Sequence, residues 1–204
     1  MLKPKKFKIA RRLGPVVYEQ AQTERFALSE ARKKKAMVKD KHRKNISAFN
    51  VALKEKQRVR FYYGISERQF SRYVKESMAL KGNPVAHLFA RLEQRLDNVV
   101  TRIGLAPTHR AARQMVSHGH ITIGGKKMRV PSHQVSEGAV LAVRAGSQAS
   151  KLFSKEDGKP SVATIPNWIS FDEKKQEWKI VGVPHLELLQ PGFNLNAVIE
   201  FYSR

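Results

Sequence analysis

Residues 92–127 have the sequence LEQRLDNVVTRIGLAPTHRAARQMVSHGHITIGGKK, and this stretch decides the fold. Thr108 is a favourable N-cap for a helix that ends at Gly119, because a hydroxyl accepts hydrogen bonds from first-turn N–H groups and glycine tolerates a left-handed cap. Beyond the helix, apolar and polar residues alternate over 121–123, and the glycine pair at 124–125 is typical of a two-residue hairpin turn. The stretch predicts a helix followed at once by a β-hairpin.

Helical periodicity extends the prediction upstream. Apolar residues keep one face over 84–103, which predicts one continuous helix. Ser66 and Gln69 form a capping box that begins an earlier helix, and 51–62 predicts a short amphipathic one. Four aromatic residues recur at helical spacing in these segments, which favours packing in a core over a base-stacking platform: Tyr62, Tyr63, Phe70 and Tyr73.

Downstream, short apolar runs predict a small, mainly antiparallel sheet. The predicted strands cover 127–130, 140–143, 168–171 and 177–181, with a loop over 146–161. Residues 197–202 alternate apolar and polar side chains and predict a closing strand or a docked tail. The first 49 residues have few apolar residues in register, so they predict a basic arm with a thin helix over 23–38. The predicted fold class is α+β.

The distribution of charge indicates a polyanionic partner. The 204 residues include 39 Lys and Arg against 17 Asp and Glu, a formal net charge of +22. Residues 1–60 have 19 basic and 5 acidic side chains, residues 61–145 have 13 and 5, and residues 146–204 have 7 and 7. Solvated charged faces usually mix both signs, so the first two thirds favour nucleic acid, with an anionic membrane surface as the weaker alternative.

Motifs for catalysis, metals and membranes are missing from the sequence. It has no cysteine, no P-loop, no G-x-S-x-G or H-E-x-x-H motif, and no apolar run of bilayer length. His118 and His120 lie two residues apart, but without acidic or Cys neighbours they suit phosphate or ribose better than a metal. We therefore predict no catalytic residue, metal or cofactor. The basic start lacks a secretory apolar segment, with a transit peptide as the rival interpretation.

Three segments together resemble the small-subunit ribosomal protein four family, in its bacterial-type form. The stretch 92–126 resembles that family's RNA-binding module of helix, turn, helix and hairpin. Residues 53–70, LKEKQRVRFYYGISERQF, resemble the segment before the module, and 198–204, VIEFYSR, resemble the C-terminus. Many members have four zinc-binding cysteines near the N-terminus; this chain has none, so that site is absent, and residues 1–49 match the family poorly.

The resemblance implies both domain organisation and function. It implies a basic arm over 1–49, a helical domain over 50–90 completed by 185–204, and an inserted RNA-binding module over 91–184. It further implies a structural protein that binds small-subunit (16S-type) rRNA directly at a multi-helix junction and nucleates assembly. By the same resemblance it lies where mRNA enters, contributes to translational accuracy and contacts ribosomal protein five, on a cytoplasmic or organellar ribosome and not at a membrane.

Side-chain chemistry suggests how such a module holds RNA. The major groove of A-form RNA is too narrow to admit side chains, so a protein grips phosphates and 2′-hydroxyls and recognises shape. Arg110 and Arg113 lie one turn apart on a helix whose N-terminus also favours an anion. The candidate RNA-binding residues are Arg95, Arg102, His109, Arg110, Arg113, Gln114, His118, His120, Lys126, Lys127, Lys54, Lys56, Arg58, Arg60, Arg68 and Arg72. The resemblance adds Lys41, Arg43 and Lys44 as candidates near the mRNA.

Three alternatives remain open on the sequence. Arg95 and Arg102 share a helix face and either widen the basic surface or pair with Glu93 or Asp97. The run Arg95-Leu96-Asp97 is similar to the catalytic segment of pseudouridine synthases, which would make the chain an RNA-modifying enzyme. A stand-alone RNA chaperone or DNA-coating protein would also be basic, but it leaves the upstream helical block unexplained.

Overall fold

The computed structural model describes residues 5–37, 47–150, 153, 165–186 and 192–203 of the chain. Over these residues the chain forms nine α-helices and one five-stranded antiparallel sheet, which confirms the predicted α+β class. It divides into two compact units: unit 1 is Met1–Val85 with Pro191–Arg204, and unit 2 is Ala86–Gln190. In the described part of the chain, no helix is long and apolar enough to cross a membrane.

Unit 1 is helical, and its core forms between the apolar faces of its helices. The completely buried apolar residues Val59, Phe70 and Val74 lie in this core, and Tyr63 and Tyr73 are also buried, as the helical spacing predicts. The side chain of Ser66 accepts from the backbone N–H of Gln69, as expected of a cap. The helices are α1 (Lys6–Leu13), α2 (Glu24–Met37), α3 (Ala48–Tyr62), α4 (Glu67–Ala79) and, from the far end of the sequence, α9 (Leu195–Ser203).

The N-terminal region differs from the predicted arm. Two 3₁₀ turns, Pro15–Val17 and Glu19–Ala21, follow α1, and Ala10, Leu13 and Val17 are buried. The few apolar residues of this region are placed so that α1 and the first turn pack on α3. Sparse apolar residues are therefore sufficient when a neighbouring helix supplies the rest of the core. The thin helix predicted over 23–38 is α2.

The segment predicted as a closing strand or docked tail is the docked helix α9. Leu195, Val198 and Tyr202 fall at i, i+3 and i+7, a helical stripe that coincides with strand alternation over so short a run. Leu195 and Val198 are buried, and the rings of Phe201 and Phe49 lie 5.4 Å apart between centroids. The strand prediction is wrong because short apolar runs do not separate the two periods.

Unit 2 packs helices against one face of the sheet, whose strand order is β2-β1-β3-β5-β4. Its core joins Met115 and Val116 to Ile121, Leu141 and Trp178 from the inner face of the sheet. The helices are α5 (Pro84–Glu93), which begins in unit 1, α6 (Leu96–Arg102), α7 (His109–His118) and α8 (Ala145–Gln148). The strands are β1 (Ile121–Ile123), β2 (Lys126–Met128), β3 (Val140–Val143), β4 (Ile169–Asp172) and β5 (Glu177–Ile180).

The helix predicted over 84–103 is interrupted at Arg95. This residue is extended, with φ −64° and ψ 135°, and forms an isolated antiparallel bridge with Gln134. Leu96 N donates to His133 O at 2.9 Å, and Val135 N donates to Gln94 O at 2.8 Å. Backbone hydrogen bonds to a segment distant in sequence thus replace helical ones. Apolar periodicity misses the break because α5 and α6 both bury their apolar faces.

Candidate nucleic-acid interface

The outer face of the sheet carries a row of basic side chains. In the register of the central strands, Ile121 lies opposite Met128 on one side and Val143 on the other. One step earlier, Arg144 N donates to His120 O at 2.8 Å, and continuing the register of β1 and β2 by one residue puts Arg129 opposite His120. Side chains alternate along a strand, and Ile121 points into the core. His120 and the residues opposite it therefore point to the outer face of the sheet. We call His118, His120, Lys127, Arg129 and Arg144 the basic face.

The pKa shifts show that these groups feel one another's charge. Burial, and then the positive charges of His118, Arg144 and Lys127, lower the pKa of the His120 imidazole. Desolvation, and then the charges of Arg129 and Arg144, lower the pKa of the Lys127 ammonium. Like charges that act on one another in this way raise the free energy of the unliganded protein. A phosphate placed among them would relieve that repulsion.

A glycine brings the hairpin onto the end of α7. Gly119 caps α7 in the left-handed conformation, with φ 74° and ψ 40°, and its N–H bonds to Met115 O and Val116 O. Lys127 passes over Gly119 so closely that a Cβ at this position would meet the Lys127 Cε. The lysine therefore lies at the helix C-terminus, where the helix dipole favours a cation. This contact joins α7 to the basic face.

Helix α7 presents a stripe of polar side chains that leads to the basic face. Thr108 Oγ1 accepts from Ala111 N at 3.1 Å, which is the predicted cap. Arg110, Gln114 and His118 fall at i, i+4 and i+8, and all three are exposed. The ring centroids of His118 and His120 lie 6.1 Å apart. The stripe thus runs from the N-terminus of α7 to the basic face.

Beneath α7, two buried carboxylates hold four other polar side chains. Asp97 accepts from Arg95 Nη2 at 2.7 Å and from Arg113 Nη2 at 2.8 Å. Glu93 accepts from Arg102 Nη2 at 2.7 Å and from Asn98 Nδ2 at 2.8 Å. The Asn98 Oδ1 in turn lies 3.0 Å from His109 Nε2. These pairs fix α7 on α6, because His109 and Arg113 are one turn apart on α7.

This network corrects part of the predicted RNA-binding set. Arg95 is 1% exposed and is held by Asp97, so it lies inside the protein and not on a surface open to a polyanion. Arg102 and Arg113 keep partial exposure, but their guanidinium groups bond to Glu93 and Asp97. The ion-pair alternative is therefore the one observed. The reason is that a buried carboxylate needs a compensating charge, and the arginines supply it.

In unit 1, some of the predicted RNA-binding residues are exposed, and others are buried or paired with carboxylates. Lys54, Arg68 and Arg72 are exposed. Lys56 is buried, and its Nζ donates to Glu67 Oε1 at 2.7 Å, so its assignment to an RNA-binding surface is corrected. Two more arginines are half-buried beside carboxylates: Arg58 donates to Glu55 Oε1 at 2.6 Å, and Arg60 lies 3.6 Å from Glu67 Oε2. The candidates Lys41, Arg43 and Lys44 lie outside the described residues.

Sequence reasoning missed two members of the basic face, Arg129 and Arg144. Arg129 lies within the predicted strand 127–130 but beyond the observed end of β2, and Arg144 lies just beyond β3, so strand periodicity does not single them out. The hairpin register could have identified Arg129 from the sequence. Once the glycine pair at 124–125 sets the turn, extending the register puts Arg129 opposite His120. Arg144 required the pairing of β1 with β3, which joins segments separated by a long connection.

Two family models match the chain. The S4 domain matches residues 94–141, and the Ribosomal protein S4/S9 N-terminal domain matches residues 1–93. The chain belongs to the ribosomal protein S4 family. The second match begins at residue 1, which corrects the impression that residues 1–49 resemble the family poorly.

Relatives within the S4 family agree with this assignment. The chain is 40% identical over 164 residues to small ribosomal subunit protein uS4 of Roseiflexus sp. (strain RS-1), covering 79% of this chain and 80% of the relative. It is 40% identical over 162 residues to uS4 of Synechococcus elongatus, covering 79% and 80%. It is 38% identical over 158 residues to uS4c of Rhodomonas salina, covering 78% of each protein.

Membership of the S4 family decides between the enzyme and the structural protein. The relatives are named as ribosomal proteins, a structural family and not an enzymatic one. The structure gives the chemical counterpart, because Asp97 is buried and bonded to Arg95 and Arg113. A carboxylate held in this way is not presented to a substrate. Its likeness to the catalytic Asp of pseudouridine synthases is one of local sequence only.

Proposed function

We propose that the chain is a structural constituent of the small ribosomal subunit that binds 16S-type rRNA directly, at a multi-helix junction. The observation that carries the proposal is the basic face, where three cations and two imidazoles lie together. As a member of a ribosomal protein family, the chain is located in the ribosome, and bacterial and organellar forms both occur among its relatives.

The geometry suits folded RNA better than a single base sequence. A junction presents phosphates at several angles, and the basic face offers Lys127 as a point charge beside the planar guanidinium groups of Arg129 and Arg144. Guanidinium can bind phosphate through two parallel hydrogen bonds. The first turn of α7 adds backbone N–H groups beside Arg110, which extends the anion-binding surface along the polar stripe. Recognition of shape follows from the spacing of these groups.

We further propose the finer roles that family membership suggests. These are nucleation of subunit assembly, a position where mRNA enters, a contribution to translational accuracy and contact with ribosomal protein five. Lys41, Arg43 and Lys44 remain the candidate residues near mRNA because they form a basic cluster with Asp40 as the only acidic neighbour. Cross-linking of assembled subunits through each of these three positions would identify the partner that each one touches.

Matched charge removal tests the rRNA-binding surface. Lys127→Gln with Arg129→Gln removes two charges from the basic face, whereas Lys174→Gln with Lys175→Gln removes two exposed charges from the turn between β4 and β5 of the same unit. We expect the first pair to weaken binding to a 16S-type rRNA junction about 10-fold or more. It should also reduce the slope of log K against log salt by about 2.

The control pair should leave both quantities nearly unchanged. Filter binding at several salt concentrations measures them, with circular dichroism as the check on folding. An equal loss of affinity in both pairs would mean that any positive charge serves, and that the basic face is not the binding surface.

A further inference from the structure

A groove between α1 and α3 in unit 1 is lined by apolar, amide and basic side chains. Its volume is about 330 Å³, at the lower end of the range for small-ligand sites. Leu13, Leu53 and Phe61 form its apolar floor, and the lining also includes two side-chain amides, Asn50 and Gln57. An apolar floor with a few polar groups is the usual composition of a pocket that binds a planar organic ring.

Two polar atoms in this lining are buried without a hydrogen-bond partner among the described residues. They are Gln57 Oε1 and Arg60 Nε. A buried polar atom without a partner costs free energy, and in native proteins most such atoms are satisfied by protein, water or ligand. Two side chains of the lining therefore carry an unpaired acceptor and an unpaired donor, which is the combination that the hydrogen-bonding edge of a nucleobase complements.

The walls of the groove supply stacking and positive charge. The Arg60 guanidinium carbon lies 4.6 Å from the centre of the Phe61 ring, so the two planar groups form a platform. Unpaired bases stack on aromatic rings and on guanidinium planes. Arg12 and Lys54 add further cations, and no residue of the lining carries a carboxyl group. The charge therefore favours an anionic ligand over an apolar peptide segment.

We propose that this groove binds the base of one unpaired RNA nucleotide, with the neighbouring phosphates on Arg12 and Lys54. The inference rests on the proposed rRNA-binding function and adds a base-specific contact to it. The base lies against the platform of Arg60 and Phe61, and its hydrogen-bonding edge pairs with the Gln57 amide. A junction protein that otherwise reads backbone and shape would gain from this site one point at which sequence matters.

Two substitutions test the site without removing charge. Leu53→Trp fills the groove, and Gln57→Leu removes the amide while keeping a similar volume. Val51→Trp is the matched control, because Val51 is exposed on α3 and is not part of the groove lining. Each full-length variant is bound to small-subunit rRNA, and the base edges of the RNA are probed with dimethyl sulfate and carbodiimide. Filter binding gives the affinity, and circular dichroism checks the fold.

We expect the unmodified chain and Val51→Trp to protect one unpaired base that both groove variants leave reactive, with the rest of the footprint unchanged. Affinity should fall about 10-fold in the groove variants, the scale of one stacked base. Should Leu53→Trp fail to fold, Gln57→Leu gives the answer alone.

The two proposals fail in different ways. A full footprint that is the same for all four chains would overturn the groove site and leave rRNA binding standing. A missing footprint for the unmodified chain would overturn rRNA binding itself, and the groove site with it.

Discussion

At the scale of single residues, burial decides which arginines are available to a partner. Glu93 and Asp97 are almost completely buried, and each is bonded to at least one arginine. Removing one partner of a buried ion pair leaves an uncompensated charge in a medium of low dielectric. Arg95 is thus a structural residue, although its type and its helix position suggested a surface role. Arg110, exposed and three residues from Arg113, keeps the role expected of it as a prediction.

The first prediction contrasts these two kinds of arginine. Arg95→Leu should lower the free energy of unfolding of unit 2 by about 3 kcal/mol, because Asp97 stays buried with fewer partners. Arg110→Ala should change stability by less than about 0.5 kcal/mol, as exposed substitutions usually do, while weakening rRNA binding. Urea denaturation and filter binding measure the two effects. A stable Arg95→Leu variant would show that Asp97 does not depend on this arginine.

The second prediction concerns His120 and pH. Its pKa is lowered by burial and then by His118, Arg144 and Lys127, so the imidazole is mostly neutral at pH 7 in the free protein. A bound phosphate would raise this pKa, and protonation then accompanies binding. Affinity for rRNA should therefore increase several-fold as pH falls from 8 to 6, since each pKa unit is worth a factor of about 10.

His120→Gln should flatten this dependence, whereas His185→Gln, a substitution outside the basic face, should preserve it. The stability of the fold should depend on pH in the opposite direction from the affinity for rRNA. Because the pKa of His120 is lowered by folding, its contribution to stability is present above the pKa of the unfolded state, near 6.5. That contribution is lost as pH falls through the pKa of the folded state. Binding and unfolding are therefore measured separately at each pH. Affinity that does not vary with pH would mean that no phosphate approaches His120.

At the scale of elements, caps and turn residues in the sequence are sufficient to predict a helix or hairpin that depends only on residues close together in the chain. Thr108 and Gly119 bound α7 as predicted, and the hairpin follows from the glycine pair at 124–125. The break at Arg95 was not predictable, because it depends on backbone hydrogen bonds to 131–135 that no local pattern reports. The sequence leaves the pairing of Arg95 with Asp97 open, and the burial of Arg95 decides for it. Charge and type are visible in a sequence, but burial comes from contacts distant along it.

The third prediction tests the junction between α7 and the hairpin. Gly119→Ala and Gly125→Ala both place a Cβ at positive φ, 74° and 77°, and each should cost about 1 kcal/mol of stability. Only at Gly119 would the Cβ displace Lys127, since nothing lies within 4 Å at Gly125. Thermal unfolding should thus show similar losses for both variants. Binding to rRNA should fall only for Gly119→Ala, and an equal loss for both would contradict the role given to Lys127.

At the scale of the whole molecule, unit 1 is completed by a helix from the far end of the sequence. Tyr202 donates to Glu67 at 2.7 Å, and Asn194 N donates to Glu55 at 3.0 Å. Burial would raise the pKa of Glu67, but its hydrogen bonds from Lys56 and Tyr202 lower it overall. Burial and the bond to Glu67 raise the pKa of the Tyr202 phenol. Polar bonds and apolar burial together hold α9 in place.

The fourth prediction follows from this closure. Deleting residues 192–204 removes the buried Leu195 and Val198 and should destabilise unit 1 by about 4 kcal/mol. Unit 2 should stay folded, and both tryptophans of the chain, Trp168 and Trp178, lie in it. Tryptophan emission should therefore be unchanged while helical circular dichroism decreases. Tyr202→Phe is the milder companion, with an expected loss of about 1 kcal/mol. A red-shifted emission in the deletion variant would show that the units do not fold separately.

Because α9 packs on α3, unit 1 cannot be completed until long after α3 has been translated. Helix α3 ends at Tyr62 and α9 begins at Leu195, so every segment of unit 2 is translated between them. At ordinary elongation rates this interval is on the order of 10 s. Throughout it, the side of α3 that α9 later covers is open on the nascent chain. A chaperone that binds nascent chains can reach this surface until α9 emerges and competes with it for α3.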